Sequence, residues 1–315
     1  MGFCFEKQEA MQKAVRRLGC QRIEHALKAL ELCARSEGIH SARKDIKKAR
    51  AVSHLVQEHL SRKQFRAINR QLQKAAGGLA KPRDAGIRVA TLRDLTRRSK
   101  ADLPTQAFRQ YRIKLRRDYD KAMRKFAEKK RIPAACRHLR AVKHAFERIE
   151  IDAEGWEAVA PGLKQTYRQC RDAHQRAAEQ ISAKRFHEWR KRAKNLWHQL
   201  VLLKPIWSEK LDRMACELET VGDLLGEDHD LFVLEQTVLD WQSDDDKLGR
   251  PDLNLLQQMI HHRQAELRQK ALAMGKYFYA EKPSKFCKQL EEYWDSWVRS
   301  NDSRKSSKGR KGAGR

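Results

Sequence analysis

The stretch HSARKDIKKAR, residues 40–50, recurs in altered form as HEWRKRAK at residues 187–194. In each copy a histidine is followed by basic residues three, four and seven positions later, and the two histidines lie 147 residues apart. Side chains at these spacings share one face of an α-helix, so each copy predicts a helix with a basic stripe. The stripes consist of His40, Arg43, Lys44, Lys47, Lys48 and Arg50 in the first copy, and His187, Arg190, Lys191 and Lys194 in the second.

The two stripes indicate a binding site for an anionic ligand. Like charges at these spacings destabilise an isolated helix by about 0.2–0.5 kcal/mol per pair, and a bound anion would relieve that repulsion. Arg offers a planar fork for phosphate oxygens, and Lys offers a movable point charge. The alternative is a solvated basic face on each helix, which the repetition disfavours. His40 and His187 either orient the cations or contact the ligand themselves, and the sequence leaves both roles open.

The remainder of the chain is also predicted to be helical. Apolar residues recur at helical spacing, and alternation typical of strands never runs for long. Glycine and proline divide the chain into segments of about 15–28 residues, which favours antiparallel helices in bundles. The predicted breaks include Gly77, Gly78, Pro82, Pro133, Pro161 and Gly162.

The repeat extends beyond the stripes. Asp84 follows the first stripe in an Arg-Asp pair, and Asp230 follows the second at nearly the same offset. We therefore predict two copies of one helical unit, residues 5–150 and 156–299, with a boundary near 152–162. Residues 300–315 have almost no apolar side chain and predict a disordered basic tail. The two aspartates either serve the helices that follow, as an N-terminal cap or a partner of the helix dipole, or hold a stripe cation in place.

The net charge of +27 predicts a polyanionic partner: nucleic acid, an anionic membrane surface or a phosphate polymer. The last fourteen residues hold six Lys or Arg and one Asp, which leaves +22 on the rest of the chain. No apolar run approaches the ~18 residues that a membrane span needs, and the N-terminus lacks the apolar region of a signal peptide. Seven scattered cysteines without a CxxC motif favour reduced thiols in a cytoplasmic protein.

No catalytic residue, metal site or cofactor is predicted. The sequence contains neither a phosphate-binding glycine loop nor a nucleophile motif, and its histidines lack the spacing of metal ligands. One enzymatic alternative is a phosphoanhydride-cleaving enzyme whose metal would be held by carboxylates. Its candidate ligands are Asp84, Asp223, Asp228 and Asp230.

The stripes and the segments that follow them resemble the CHAD domain (conserved histidine α-helical domain). His40, Arg43, Lys47, Lys48 and Arg50 match the pattern of its first half, and His187, Arg190, Lys191 and Lys194 that of its second. The segment 222–230 is similar to the second-half "LG…D" motif, and residues 83–84 to the first-half "RD". The resemblance covers about residues 5–299. Asn195 and Trp197 replace the last two cations of the first stripe, so the second stripe is weaker in charge.

This resemblance implies an all-α fold of two pseudo-symmetric helical bundles that enclose a basic central channel. It also implies a stand-alone, non-enzymatic protein that binds long-chain inorganic polyphosphate through the stripe residues and associates with polyphosphate granules. The alternative is an RNA-binding protein, for which the net charge is an equally good argument. The oligomeric state is not predicted.

Overall fold

The computed structural model describes residues 2–32, 36–98, 105–128, 130–206, 209–244 and 250–300. Within these ranges the chain forms α-helices and two 3-10 turns without a β-strand, which confirms the all-α prediction. The helices are α1 (Met11–Leu32), α2 (Ser36–Leu55), α3 (Arg62–Gly78), α4 (Ala80–Arg98), α5 (Thr105–Glu128), α6 (Arg131–Glu147), α7 (Gly155–Glu179), α8 (Ala183–Leu202), α9 (Glu209–Asp244), α10 (Arg250–Phe278) and α11 (Pro283–Arg299). The predicted disordered tail lies, from residue 301 onward, outside the described residues.

The order of the helices repeats along the chain. A shift of about 147 residues, the spacing of the stripe histidines, relates α1, α2, α5 and α6 to α7, α8, α10 and α11. The same shift relates the 3-10 turn Gln57–His59 to the turn Lys204–Ile206. Helices α3 and α4 correspond together to the single long helix α9. The boundaries of the two predicted units themselves stay a prediction.

The hydrophobic core joins the two predicted units. One buried cluster contains Leu18 and Phe146 from the first unit and Trp189 and Phe286 from the second. A second cluster packs α4 and α5 against α9 and α10 around Tyr111. Burial of each large apolar side chain contributes about 1.5–3 kcal/mol to stability. Helix α2 packs on α8 and α4 packs on α9, so these two contacts fix where the stripes meet.

Two predictions about composition can be compared with the fold. None of the described helices combines the length and the apolar composition needed to cross a bilayer. The six cysteines within the described ranges are free, and three of them, Cys136, Cys170 and Cys287, are buried. Cys33 lies outside the described residues.

Proline and glycine positions show how far helix ends depend on tertiary contacts. Pro82 and Pro133 lie in the first turns of α4 and α6, where the missing N–H has no intrahelical partner to lose. The break predicted at Pro161 and Gly162 is wrong, since α7 begins at Gly155 and continues through both residues.

Two contacts explain why α7 tolerates this pair. Pro161 offers no N–H to the carbonyl of Glu157, and His59 Nε2 lies 3.3 Å from that oxygen and serves as the donor instead. Gly162 allows α7 to cross the end of α2 at close range, because a Cβ atom there would lie 2.0 Å from Leu55 O. Both contacts join residues that are distant in sequence, so local pattern does not reveal them.

The close crossing gives a stability prediction. Gly162→Ala is expected to lower the free energy of unfolding by about 3 kcal/mol, because a methyl group against backbone cannot be relieved by a rotamer change. Gly77→Ala is the control: a Cβ there meets nothing within 4 Å, and alanine should raise stability by about 0.5–1 kcal/mol. Urea denaturation measures both. A Gly162→Ala protein as stable as the wild type would show that the helices do not approach this closely.

Candidate functional site

Helices α2 and α8 bring the two basic stripes to one cavity. The cavity has a volume of about 250 Å³ and contains six Lys or Arg side chains against one carboxylate. It is lined by Lys47, Arg50, His54, Glu188, Arg190, Lys191, Arg192, Lys194, Asn195 and His198. Five of the ten predicted site residues therefore share one cavity, although they come from stripes that lie far apart in the sequence.

Two further cavities adjoin this one. A cavity of about 360 Å³ between α4, α8 and α9 shares Arg190 and Lys194 with the first. A third, of about 530 Å³, shares Ile87 and Ala90 with the second and is lined by His40. We call the three adjoining cavities the central groove. It follows the crossings of α2 with α8 and of α4 with α9.

Lys47 lies where the positive charges of the groove converge. Its pKa is lowered to about 8, first by burial among the surrounding helices and then by the charges of Arg190, Arg83, Arg43 and Lys194. The side chain itself is open to water in the cavity. The ammonium group is therefore available to a ligand, while the surrounding protein destabilises its charged form.

Several groove cations lack a direct carboxylate partner. In the described part of the chain Lys47, Arg50 and Arg190 form no ion pair, and the Nε atoms of both arginines are buried without a hydrogen-bond partner. Burial lowers the pKa of Arg50 and of Arg190. An anion that entered the groove would find donors already positioned, and it would relieve their mutual repulsion.

Two glycines of α9 make room for the second stripe. A Cβ atom at Gly222 would lie 2.9 Å from Lys194 Cε, and one at Gly226 would lie 3.6 Å from Arg190 Nε. Because both glycines lack a side chain, Lys194 and Arg190 can extend across α9 at these two positions. Lys194 Nζ donates a hydrogen bond of 2.8 Å to Asp223 Oδ1. Of these two cations, Lys194 therefore has a direct carboxylate partner, whereas Arg190 has none within the described residues.

The two aspartates that follow the stripes do not cap helices. Asp230 lies well inside α9, and Asp84 lies inside α4, so the capping role is wrong for both. Asp84 accepts a hydrogen bond of 3.0 Å from Arg83. Burial raises the pKa of Asp230, and the charges of Arg190 and Arg83 oppose that rise. Asp84 thus pairs with a groove cation, and Asp230 places a negative charge near Arg190 and Arg83. The capping prediction fails for Asp230 because α9 continues where α3 and α4 are separate.

The two stripe histidines occupy different environments. His40 is exposed and lines the third cavity, with a pKa lowered first by burial and then by Arg83 and the stripe cations. His187 packs against His229 of α9, with 4.1 Å between ring centroids, and its Nδ1 is buried without a partner. His187 is not among the residues that line the groove cavities. Direct ligand contact thus fits His40, and a positioning role fits His187.

Besides His187, three predicted site residues lie outside the cavity walls. Lys48 Nζ lies 5.3 Å from the centroid of the Phe3 ring, because residue 48 stands on the flank of α2 that faces the N-terminal segment. Lys44 is exposed and lines none of the groove cavities. Arg43 is half-buried, and its guanidinium donates to the carbonyl of Ala76 near the end of α3. Arg43 thus braces α3 beside the groove.

Six basic residues or histidines of the groove were not among the predicted site residues: His54, Arg83, Arg98, Arg116, Arg192 and His198. His54 and His198 follow Arg50 and Lys194 by four positions, so one more helical turn of each stripe would have found them. In the Arg-Asp pair at residues 83–84, the offset to Asp230 singled out the aspartate and not Arg83. Arg192 is bound to Glu188 by a hydrogen bond of 2.9 Å and gave no separate signal.

The buried histidine of the second stripe predicts acid sensitivity. His198 is 4% exposed, and its pKa is lowered to about 3, first by burial and then by nearby lysines. The unfolded chain takes up this proton below about pH 6.5 and the folded chain does not, so stability falls as the pH falls from 6.5. At pH 5 the loss is about 2 kcal/mol.

Denaturation at pH 7 and pH 5 tests this assignment. His198→Gln should lower the pH dependence of the unfolding free energy, whereas His25→Gln, at an exposed position of α1, should leave it unchanged. Equal pH dependence in His198→Gln and the wild type would contradict the assignment.

Comparison with known proteins bears on the fold. The family model described as CHAD domain matches residues 9–239. The crystal structure of the CHAD domain from the plant Ricinus communis is similar, with a TM-score of 0.63, 14% identity, and coverage of 89% of this chain and 95% of that one. PptA from Streptomyces chartreusis is also similar, with a TM-score of 0.62, 13% identity, and coverage of 87% and 100%. At these identities the likeness shows a shared fold. No curated protein matches the chain.

Proposed function

Because the chain belongs to the CHAD domain family, we propose that it binds long-chain inorganic polyphosphate along the central groove. The observation that carries the proposal is the first cavity, where two distant stripes place six cations around one carboxylate. Polyphosphate carries a negative charge on every phosphate unit and has no bases. A receptor for it needs many fixed donors along a path, and the three adjoining cavities supply such a path.

The stripe cations would contribute to phosphate binding in different ways, according to their position. Lys47, Arg50 and Arg190 would grip phosphate oxygens directly, since they face the cavity without an ion-pair partner. Lys191 and Lys194 would follow by exchanging their carboxylate partners for phosphate. Arg43, Lys44 and Lys48, which lie off the cavity walls, would contribute mainly through their long-range field.

The composition of the first cavity favours polyphosphate over RNA. None of the residues that line the first cavity is Phe, Tyr or Trp, so it offers no aromatic platform for base stacking. Calorimetric titration with long-chain polyphosphate, at physiological salt and with RNA of matched charge as competitor, tests this preference. We expect binding that survives excess RNA. Displacement of polyphosphate by RNA at equal charge would support the RNA-binding alternative.

We further propose that the protein binds without cleaving its ligand and associates with polyphosphate granules in the cytoplasm. In the described chain no group of three or more His, Cys, Asp or Glu residues is arranged to hold a metal ion. Release of phosphate from polyphosphate, assayed with and without Mg²⁺, should not exceed the protein-free rate. A fluorescent fusion should colocalise with granules, and neutralisation of the groove should disperse it.

A further inference from the structure

A second basic pocket lies on the outer side of α4. It has a volume of about 300 Å³ and is formed where the end of α3 meets α4, α5 and the start of α6. It shares no lining residue with the central groove. Its charged residues are Lys81, Arg88, Asp118, Lys121, Lys125 and Arg131. Helix α4 thus turns Arg83 toward the groove and the first two of these cations toward the outer pocket.

The charge of this outer pocket is not balanced within the chain. Five cations face one carboxylate, that of Asp118, and none of the five forms an ion pair within the described residues. The Nε atom of Arg88 is buried and has no hydrogen-bond partner. An ordinary solvated surface disperses its cations, whereas here they converge on one concavity.

The equivalent place in the second half of the chain shows how such a pocket is neutralised. Buried residues of α4 recur on α9 after 146 positions, which is also the spacing of Asp84 and Asp230: Ala85, Leu92 and Leu95 match Leu231, Val238 and Trp241. Lys81 of the outer pocket therefore corresponds to Glu227. Glu227 accepts hydrogen bonds of 2.8 and 3.1 Å from Arg263 of α10.

Lys121 of α5 also has a carboxylate as its counterpart. Buried residues of α5 recur on α10 after 145 positions, which places Glu266 at the position of Lys121, and Glu266 accepts a hydrogen bond of 2.8 Å from Arg263. In the second half carboxylates thus stand at both positions and pair with Arg263, whereas in the first half both positions hold lysine. The contrast locates the missing negative charge outside the chain, on a ligand.

We propose that the outer pocket is a second binding site, which takes a short condensed-phosphate group independently of the central groove. Arg88 supplies a fork for phosphate oxygens, and the lysines supply mobile charges around it. Helices α4 and α6 both begin at the pocket, at Ala80 and Arg131, so their N-terminal partial positive charges add to the site. The inference rests on the charge balance of the two halves and does not require the groove to bind polyphosphate.

Calorimetry with tripolyphosphate tests the proposal in a protein whose groove is disabled by Lys47→Gln and Arg190→Gln. This protein should retain one tripolyphosphate site. Adding Lys81→Asp and Arg88→Glu, which reverses two charges of the pocket, should weaken that site by about tenfold or more, because charge-assisted hydrogen bonds are lost. The matched control is Lys63→Asp with Arg70→Glu on the exposed face of α3. It has the same residue types, spacing and charge change, and it should alter affinity by at most about twofold.

Two results would overturn the second site. One is a groove-disabled protein that binds no tripolyphosphate, and the other is a pocket variant that binds as tightly as the α3 control. Lys121→Gln with Lys125→Gln, on the exposed surface of α5, provides a second pocket variant that does not disturb α4. It should weaken the same site. Wild-type affinity for tripolyphosphate in this variant would count against the proposal, even if the variant with Lys81→Asp and Arg88→Glu failed to fold.

Discussion

Neutralising four groove cations together, by Lys47→Gln, Arg50→Gln, Arg190→Gln and Lys194→Gln, is expected to weaken polyphosphate binding by about 10³-fold or more. All four line the first cavity. A hydrogen bond to a charged group contributes about 1.5–3 kcal/mol, so four of them exceed the ~4 kcal/mol that a thousandfold change requires, even if they are not fully additive. Calorimetry at one fixed salt concentration measures the loss. Helicity should be unchanged, and the unliganded variant should be more stable than the wild type because repulsion is relieved.

A matched variant distinguishes the contribution of the groove cations to affinity from that of cations outside the groove. Lys44 and Lys48 belong to the first stripe but not to the cavity walls, and Lys28 and Lys184 are exposed on α1 and α8. Neutralising these four lysines removes the same net charge, and it should cost less than about tenfold in affinity. Equal losses in the two variants would mean that diffuse charge dominates binding. The salt dependence gives a second reading: the slope of log K against log salt should fall in magnitude by about 3 only when the groove cations are removed.

The stripes could be found from the sequence because their signal is local. A histidine and cations at helical spacing occupy one face wherever the helix lies. The repetition indicated that the two faces contribute to the same kind of site. Which stripe residues line the cavity depends on neighbours that the spacing does not name. Lys48 faces Phe3 of the N-terminal segment, and Arg43 faces the carbonyl of Ala76. Arg83 reaches the groove from a different helix.

The errors in helix boundaries have the same origin. Proline and glycine end a helix when nothing compensates for the missing N–H or the missing side chain. At Pro161 the compensation comes from His59, and at Gly162 it comes from the close passage of Leu55. Asp230 was open to interpretation as a cap because the first half separates α3 from α4, whereas the second half continues as one helix. Each error concerns a contact between segments, which a single sequence does not contain.

Polyphosphate affinity is expected to fall about tenfold per pH unit above about pH 8, through the deprotonation of Lys47. In the free protein the pKa of Lys47 is lowered to about 8, first by burial and then by surrounding cations. Phosphate oxygens beside the ammonium group favour its charged form, so the complex holds a proton that the free protein has lost. Titrations at pH 9 in two buffers of different ionisation enthalpy should show the uptake of about one proton on binding. Lys47→Arg should abolish both effects because arginine stays charged, whereas Lys44→Arg, at an exposed position, should keep them.

The stability of the free protein should depend on pH in the opposite direction to the affinity, and this difference provides the control. Between pH 8 and pH 10.5 the unfolded chain holds the Lys47 proton and the folded chain does not, so this group makes the free protein more stable as the pH rises. Binding that weakens over the same range in which the protein gains stability cannot result from unfolding at high pH. If Lys47→Arg and the wild type lost affinity with the same dependence on pH, then the charge of Lys47 would not be what the ligand meets. The centre of the site would then have to be sought among the other cations of the groove.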